Sequence, residues 1–385
     1  MQEVEVVVVG AGPAGLSTSA CLNRLSIPNI LLEKEDCYAS LWKKRAYDRL
    51  KLHLAKEYCA LPYMPFPPEL PTFVPRVGFC NYLDNYVSTF GIKPRCNRTV
   101  EFASYNEKDE KWVIRVKNTA LDEYETYMAK FLVVATGENS EGIIPEIPGL
   151  DSYKGTYFHS NKYQNGKCFT GQKVLVVGCG NSGMEIAYDL HQWGANTSLV
   201  ARSPVHILTK GLVYMGMYLL NFLPLKIVDF IVVLLAKLVH GNVSKYGLRA
   251  PTMGPFKHKR VTGRTPTIDV GAVGKIKKGA IQVYPSISRI HGNEFEFVNG
   301  KVDHFDAVIF ATGYRSTVNY WLKDGEKYFN DKGMPKAEFP HHWKVKNGLY
   351  CAGFGMRGLA GIAMDAKNIA SEIINLKLAA SKNEL

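Results

Sequence analysis

Two runs of hydrophobic residues are each followed by a glycine-rich turn and then by apolar residues at helical spacing. The first run is VVVV at residues 6–9, and the second is VLVV at residues 174–177. A short apolar run without polar alternation is typical of a strand buried on both faces of a parallel sheet. The pattern therefore predicts two strand–turn–helix units of an α/β protein.

The turn after each run has the spacing GxGxxG. The first glycine permits a tight turn, the second lets the backbone approach phosphate oxygens, and the third lets the helix lie close to the strand. Amides at the helix N-terminus then face an anion. We therefore predict two dinucleotide-binding loops, whose residues are Gly10, Ala11, Gly12, Pro13, Ala14 and Gly15 in the first and Gly178, Cys179, Gly180, Asn181, Ser182 and Gly183 in the second.

The two predicted sites differ at the end of the next strand. Glu33 lies 18 residues after Gly15, where a carboxylate can accept hydrogen bonds from a ribose 2′-hydroxyl. Arg202 lies 19 residues after Gly183 and is followed by Ser203, and a guanidinium with a hydroxyl suits a 2′-phosphate. We therefore predict FAD at the first loop and NADPH at the second. The alternative is that Arg202 is only a solvated strand end.

Two further apolar runs end in the same three residues, ATG. They are FLVVATG at residues 131–137 and AVIFATGY at residues 307–314. In folds with two dinucleotide sites such a strand ends beside a cofactor, because glycine allows a sharp exit and threonine can hydrogen-bond locally. The alternative is two unrelated strand ends. The predicted cofactor contacts therefore also include Thr136, Gly137, Thr312 and Gly313.

The order of these patterns predicts how two domains share the chain. The second loop unit begins near residue 168 and the second ATG strand returns near residue 307, so we expect the NADPH domain to be inserted into the FAD domain. The predicted fold class is α/β, with two dinucleotide-binding Rossmann-like domains. The predicted boundaries are residues 1–167 and 290–385 for the FAD domain and 168–289 for the NADPH domain, with a helical insertion at about 207–250.

Other segments complete this outline. Residues 98–103, 111–117 and 124–129 alternate like the strands of an antiparallel hairpin unit. Residues 212–239 form the most apolar stretch, but proline and charged residues interrupt it before a membrane-spanning length is reached. We expect a pair of amphipathic helices lining a pocket there, rather than a membrane anchor. Residues 360–378 are expected to form a closing helix of the FAD domain.

Composition narrows the chemistry. The net charge of the 385-residue chain is +12, but its 47 lysines and arginines are spread along the sequence, so we expect anionic cofactors and substrates and no nucleic acid. The eight cysteines form neither a CxxC pair nor a metal-ligand pattern. This spacing indicates a reduced, cytoplasmic protein without a metal or a reactive dithiol. By elimination, the electron acceptor is dioxygen or a small molecule.

Targeting signals are sparse. Residues 1–9 contain no basic segment, so no cleaved signal peptide is expected. The ending KNEL at residues 382–385 resembles an ER-retrieval tail, but without a signal peptide we give it little weight. We expect a cytoplasmic protein, with association to the cytosolic face of the ER as the alternative.

A segment ahead of the second loop carries a family resemblance. YKGTYFHSNKY at residues 153–163 resembles the flavin-containing monooxygenase fingerprint FxGxxxHxxxY/F, with Tyr153 replacing the first Phe. Together with both GxGxxG loops and ATGY, the match covers nearly the whole chain. Closer similarity to the plant YUCCA branch lies in residues 32–67 (LEKEDCYASLWKKRAYDRLKLHLAKEYCALPYMPFP), 135–139 (ATGEN), 245–248 (KYGL), 264–271 (RTPTIDVG) and 353–361 (GFGMRGLAG).

The resemblance implies an NADPH- and O2-dependent conversion of indole-3-pyruvate to indole-3-acetate in auxin synthesis. In the implied cycle NADPH reduces FAD, dioxygen forms a C4a-(hydro)peroxyflavin, and this attacks the ketone of the 2-oxo acid with loss of CO2. Trp42 would pack near the flavin, and His53, where many members have Asn, would meet the peroxide. Gly353 would lie in the segment beside the isoalloxazine and ribityl part of FAD. The alternatives are a structural role for His53 and a simple strand–turn–helix around Gly353.

The substrate and the reaction class stay open at this point. A 2-oxo acid with an indole ring needs an apolar slot and a cation for its carboxylate. Residues 215–235 are candidates for the slot, and the candidate cations are Arg49, Lys210, Arg249 and Arg264. The alternatives in function are an amine, sulfur or Baeyer–Villiger monooxygenase of the same fold, and a dinucleotide-binding sensor without oxygenation.

Overall fold

We describe residues 1–383 of a computed structural model, with side chains to residue 381. The KNEL ending at residues 382–385 lies outside the described side chains. The chain forms two compact units. The first comprises Met1–Ala46, Ala55–Glu141 and Tyr314–Leu385, and the second comprises Tyr47–Leu54 and Gly142–Gly313.

Strands and helices alternate along much of the chain. The strands are β1 (Gln2–Val9), β2 (Asn29–Leu32), β3 (Arg98–Asn106), β4 (Lys111–Asn118), β5 (Glu123–Val134), β6 (Glu141–Gly142), β7 (Thr156–His159), β8 (Lys173–Val177), β9 (Asn196–Val200), β10 (Ile207–Leu208), β11 (Thr267–Ile268), β12 (Gln282–Tyr284), β13 (Ile287–His291), β14 (Glu294–Phe297), β15 (Val302–His304), β16 (Ala307–Phe310), β17 (Tyr314–Arg315) and β18 (Leu349–Cys351). The α-helices are α1 (Pro13–Arg24), α2 (Arg76–Thr89), α3 (Asn181–Gln192), α4 (Lys210–Leu219), α5 (Leu225–His240), α6 (Pro255–Thr262), α7 (Ala272–Lys277) and α8 (Gly358–Asn383).

The first unit is built on a sheet in the order β2-β1-β5-β4-β3, with β18 also paired to β5. Strands β2, β1, β5 and β18 are parallel neighbours, whereas β3 and β4 add antiparallel pairs. Val6 to Val9 of β1 are buried, because the strand lies inside the sheet. The antiparallel unit predicted at residues 98–129 is confirmed.

The second unit is built on a five-stranded sheet in the order β12-β9-β8-β16-β7. All four pairings in it are parallel. A separate antiparallel sheet contains β13, β14 and β15. Helix α3 connects β8 to β9, so the second GxGxxG turn lies at the carboxyl edge of a parallel sheet, where nucleotide sites of this fold class are found.

The predicted domain boundaries have to be moved. The predicted limits at 167/168 and 289/290 both fall inside the second unit, which runs from Gly142 to Gly313 and also takes in Tyr47–Leu54. Strands β7 and β16 lie outside the predicted NADPH domain, yet both hydrogen-bond into its sheet. The expectation that the ATGY strand returns to the first domain is therefore wrong, and β18 is the strand that does so. The nested order of the two Rossmann-like domains along the chain is as predicted.

The apolar stretch at residues 212–239 forms two helices, α4 and α5, as predicted. Their facing sides form a cluster with Leu212, Val213, Val228 and Val232. Among the described residues no helix is long and apolar enough to cross a membrane. Helix α8 covers the predicted closing helix and extends beyond it at both ends.

Candidate functional site

The turn between β1 and α1 admits only glycine at two positions. Gly10 has a φ of +103°, and a Cβ there would lie 2.6 Å from the Ala135 carbonyl oxygen. A Cβ at Gly15 would lie 1.9 Å from the Gly10 carbonyl oxygen. At Gly12, a Cβ would meet no described atom within 4 Å beyond its chain neighbours. The loop therefore leaves an open face in front of the first amides of α1, and a pyrophosphate fits such a face.

Glu33 follows β2 and reaches this loop. Its side chain is buried, with Oε2 accepting from the Ala11 amide at 2.8 Å and Oε1 accepting from the Glu35 amide at 3.0 Å. Burial raises the pKa of Glu33, and the two backbone hydrogen bonds oppose that shift. Each carboxylate oxygen keeps a second lone pair, so Glu33 can also accept from a ribose hydroxyl.

Three other predicted contacts lie in the first unit around this turn. Thr136 adjoins Gly10 at the end of β5, and its buried hydroxyl has no hydrogen-bond partner among the described residues. Gly137 follows with a φ of +82°. Gly353 has a φ of +84°, and a Cβ there would lie 2.9 Å from the Ala14 Cβ. An unsatisfied buried hydroxyl beside a nucleotide loop fits a bound ligand as its partner.

A buried histidine–aspartate contact supports the Gly353 turn. Nε2 of His342 lies 3.1 Å from Oδ1 of Asp365, and both side chains are almost fully buried. Oδ2 of Asp365 accepts from the Gly353 amide at 2.9 Å. The sequence does not predict this pair, because neither residue belongs to a recognisable motif and 23 residues separate them.

Trp42 lies in a π-helical turn, Leu41–Arg45. Its ring packs edge-on against Phe79, with 4.5 Å between the ring centroids. Lys43 is held beside it by Asp84 at 2.7 Å. Because π-helical turns are rare and are frequent at functional sites, this geometry makes Trp42 a reasonable candidate. Its contact with a flavin stays a prediction.

The turn between β8 and α3 repeats the geometry of the first loop. Gly178 has a φ of +114°, and a Cβ there would lie 2.4 Å from the Ala311 carbonyl oxygen. A Cβ at Gly183 would lie 1.8 Å from the Gly178 carbonyl oxygen. At Gly180 a Cβ would again meet no described atom within 4 Å beyond its chain neighbours. The second loop therefore also presents an open face for an anion.

Two residues of the second loop are hydrogen-bonded to the RTPTIDVG segment. Oδ1 of Asn181 accepts from the Ile268 amide at 2.7 Å, and the Cys179 carbonyl accepts from the Thr267 hydroxyl at 3.0 Å. Ser182 is the second residue of α3. The side chain of Asn181 therefore helps to shape the loop, which leaves the backbone amides of α3 to face a ligand.

Arg202 and Ser203 follow β9, and Arg202 is exposed. Nη2 of Arg249 donates to the Arg202 carbonyl at 3.4 Å, and the Arg249 carbonyl accepts from the Val205 amide at 2.8 Å. Arg249 was only a candidate for the substrate carboxylate in the sequence. The structure brings it to the segment where a 2′-phosphate is predicted, so a second guanidinium is available there.

Thr312 and Gly313 follow β16 and therefore belong with the second loop. The Thr312 hydroxyl donates to the Ile143 carbonyl, and the Gly313 carbonyl accepts from the Ile143 amide at 3.0 Å. Nε2 of His159 also lies 3.0 Å from that Gly313 oxygen, and its Nδ1 accepts from the Asn161 amide. Burial lowers the pKa of His159, and a neutral ring with its proton on Nε2 satisfies both bonds.

The other fingerprint residues also have structural partners. The Tyr153 hydroxyl donates to the Phe305 carbonyl at 3.0 Å, and a Cβ at Gly155 would lie 2.2 Å from that hydroxyl. The Tyr163 hydroxyl donates to Oδ2 of Asp189 at 2.6 Å. The fingerprint therefore secures the second sheet and its helix α3.

A buried carboxylate on α3 gathers polar side chains of the second unit. Oε2 of Glu185 accepts from the Tyr47 hydroxyl at 2.7 Å and lies 3.6 Å from Nε2 of His53. Burial by itself would raise the pKa of Glu185, but His53, Tyr47 and Lys210 together hold it below its ordinary value. Burial lowers the pKa of Lys210, and Glu185 opposes that shift. We call these four residues the Glu185 cluster.

Comparison with known proteins now assigns the family. The sequence pattern of the flavin-binding monooxygenase-like proteins matches residues 3–368. The chain belongs to this family. It is 53% identical, over 99% of its length and 100% of the relative, to "Probable indole-3-pyruvate monooxygenase YUCCA10" of Arabidopsis thaliana. It is 45% identical, over 95% of its length and 90% of the relative, to "Indole-3-pyruvate monooxygenase YUCCA1" of Oryza sativa subsp. japonica.

This flavin-binding monooxygenase therefore belongs to the YUCCA branch. A solved flavin-containing monooxygenase from Stenotrophomonas maltophilia aligns with 98% of the chain and 99% of its own length. Its TM-score is 0.73 at 20% sequence identity, so the likeness shows a shared fold.

The four candidate substrate cations of the monooxygenase lie in different surroundings. Lys210 belongs to the Glu185 cluster, and Arg49 lies 3.6 Å from Asp189 and over the ring of Tyr188. Arg249 adjoins Arg202, and Arg264 is exposed after α6. Within the predicted slot at 215–235, the partly buried side chains that pack on the α4–α5 core are Met215, Met217, Leu219, Leu223 and Leu235.

Proposed function

We propose that this flavin monooxygenase converts indole-3-pyruvate to indole-3-acetate with NADPH and dioxygen. The main support for this substrate is sequence similarity. The chain is 53% identical, over 99% of its length, to a relative named for indole-3-pyruvate. The relative and this chain have the same extent, so no domain of the relative lacks a counterpart here. The second relative compared above, 45% identical over 95% of the chain, is also named for indole-3-pyruvate.

In this proposal the first unit holds FAD. The open face at Gly12 and the N-terminus of α1 receive the pyrophosphate, and Glu33 receives the ribose hydroxyls. Thr136 gains a partner for its buried hydroxyl, and the Gly353 turn is kept in place by Asp365. Bound FAD supplies the activation of dioxygen, and NADPH supplies the hydride that reduces FAD.

The second unit then holds NADPH. The open face at Gly180 receives the pyrophosphate at the N-terminus of α3. The 2′-phosphate is received by Arg202 and Ser203, with Arg249 as a further cation. A carboxylate at this position would repel the phosphate, whereas Glu33 occupies the corresponding place in the first unit. The exchange of acid for arginine supports the assignment of the two nucleotides.

We assign His53 a polar contact with the reacting groups. Oε2 of Glu185 faces Nε2 of His53, and the Tyr47 hydroxyl fixes that same oxygen. Glu185 is therefore a positioning residue that orients the ring of His53. The other ring nitrogen can then donate to or accept from a reacting oxygen. Trp42 would contribute an apolar wall that excludes water from the flavin.

Lys210 is the proposed partner of the substrate carboxylate. It is partly buried at the start of α4, next to Glu185, and α4 leads into the apolar core between α4 and α5. A partly desolvated ammonium attracts a carboxylate more strongly than an exposed one does. The partly buried methionines of α4 then offer an adaptable apolar surface for an indole ring.

Product analysis tests the proposed reaction. Purified holoenzyme is supplied with NADPH, oxygen and indole-3-pyruvate, and indole-3-acetate and CO2 are measured. Trimethylamine and a thioether are the control substrates. Indole-3-acetate formed in step with NADPH consumption is the expected result. Turnover stimulated only by the amine or the thioether would assign the protein to another monooxygenase class, and a preparation that binds no flavin would exclude an oxygenase.

A further inference from the structure

Helix α5 carries apolar side chains on the face that points away from the core. They are spaced three, four and four residues apart, and they are Ile227, Phe230, Leu234 and Leu238. Phe230 is 69% exposed and Leu238 is 73% exposed. With about 3.6 residues per turn, this spacing forms one continuous stripe along the helix.

A second exposed row, which is aromatic, lies on α4 and on the turn that follows it. Tyr214, Tyr218 and Phe222 are four residues apart, and all three are exposed. The rings of Tyr218 and Phe222 lie 5.3 Å apart. We call these three residues and the α5 stripe the α4–α5 face. Tyrosine and phenylalanine are suited to a boundary between water and hydrocarbon, because the tyrosine hydroxyl can stay hydrated.

The inward sides of the two helices are already used by the fold. Leu212, Val213, Val228 and Val232 are buried in one cluster. Asp229, also buried, accepts from the amides of Phe256 and Lys257 and so caps α6. The helices are therefore fixed by these contacts, and rotating the outer stripe inward would break them. Such a large exposed apolar surface is uncommon on a monomer and indicates a binding surface.

The chain segment that carries the α4–α5 face is strongly basic. Residues 210–264 contain nine lysines and arginines and one acid, Asp229, which is buried. On α5, Lys226 and Lys237 both fall along the same edge of the apolar stripe, and both are exposed. An apolar stripe with lysines at its edge matches the surface of a bilayer that contains anionic lipid.

We propose that the α4–α5 face binds peripherally to the surface of a bilayer containing anionic phospholipid. The apolar and aromatic side chains enter the interfacial layer, while the lysines extend to the phosphates. A second copy of the chain suits this face less well. A twofold contact would bring the lysines of both copies together, and like charges across an interface oppose binding.

Vesicle flotation of the holoenzyme tests this proposal. The probes are phosphatidylcholine vesicles with and without phosphatidylserine. The wild type should float with the anionic vesicles, and added salt should weaken that binding. The double variant Phe230→Ser, Leu238→Ser should lose binding about tenfold or more, because two apolar anchors are removed. Val298→Ser, which replaces an exposed apolar residue outside the face, should bind like the wild type.

A second variant separates charge from fold. Lys226→Glu, Lys237→Glu should lose the preference for anionic vesicles while keeping the apolar stripe. Flavin content and thermal midpoint check that each variant is folded. Failure of the wild type to float, or equal flotation of the wild type and both double variants, would overturn the proposal. A dimeric wild type that ignores vesicles, together with a monomeric Phe230→Ser, Leu238→Ser variant, would assign the face to a second copy instead.

Discussion

The two glycine-rich loops have nearly the same backbone but different residues at the end of the next strand. Gly10 and Gly178 have φ values of +103° and +114°, and each lies against the carbonyl of an ATG alanine. In the first unit the residue after the second strand is Glu33, whose buried side chain is hydrogen-bonded to the glycine-rich loop. Arg202 in the second unit is exposed. From this difference we propose that the glycines define a phosphate site, whereas the residue after the second strand selects the nucleotide.

The same comparison explains the repeated ATG. Ala135 follows β5 beside the first loop, and Ala311 follows β16 beside the second. In both sheets the strand next to the loop strand ends with this tripeptide, and its alanine carbonyl occupies the space that a Cβ of the first glycine would need. Each ATG therefore marks the neighbour of one nucleotide loop, and the two copies do not belong to one sheet.

Arg202→Ala gives the largest expected separation of the two loops. The variant should lose about 2 kcal/mol of NADPH binding, roughly thirty-fold in affinity, because a charge-assisted pair with the 2′-phosphate is removed. NADH affinity should change little, since NADH lacks that phosphate. The measurement is the dissociation constant of each nucleotide. Equal losses for NADPH and NADH would mean that the phosphate is bound elsewhere.

Arg249→Ala tests whether a second guanidinium contributes to NADPH binding. We expect a smaller loss of NADPH affinity than for Arg202→Ala, because the guanidinium of Arg249 reaches the Arg202 backbone from a neighbouring segment. Arg264→Ala, at an exposed position after α6, serves as the matched control for the loss of one positive charge. An Arg264→Ala loss as large as that of Arg202→Ala would indicate a general field effect.

Glu185→Gln is expected to have the smallest effect of these variants. The effect should be seen in how the free energy of unfolding depends on pH. The folded-state pKa of Glu185 is lowered from 4.5, so the carboxylate stabilises the fold above that value. This contribution is lost as the pH falls through the folded-state pKa. The difference in unfolding free energy between the wild type and the variant should therefore narrow below about pH 4.5. Denaturant unfolding at several pH values measures it, and a difference that widens in acid would contradict the assignment.

The sequence predicted the local elements better than their partners. Both GxGxxG turns, the hairpin strands β3 to β5 and the helices α4 and α5 follow from short patterns, and the structure confirms these elements. The domain boundaries failed because strand pairing is a long-range property. Nothing local in β16 distinguishes a return to the first sheet from a place in the second.

The candidate site divides in the same way. Glu33 could be placed by its spacing from a loop, because a strand and a helix fix that distance. The roles of Asp365 and Glu185 and the position of Arg249 could not be predicted from sequence spacing, since each depends on contacts between distant segments. The contact of His53 with Glu185 spans 132 residues and has no sequence signal. The individual cofactor roles of these residues remain predictions.

Paired alanine variants at the second glycine of each loop test the central claim most directly. Gly12 and Gly180 have φ values of −73° and −76°, which alanine adopts readily, and a Cβ at either meets no described atom within 4 Å beyond its chain neighbours. Each substitution should therefore affect mainly the bound pyrophosphate. The measurement is the dissociation constant of FAD from the apoprotein and of NADPH from the holoprotein. We predict that Gly12→Ala weakens FAD alone and Gly180→Ala weakens NADPH alone, and the reverse pattern would contradict the account.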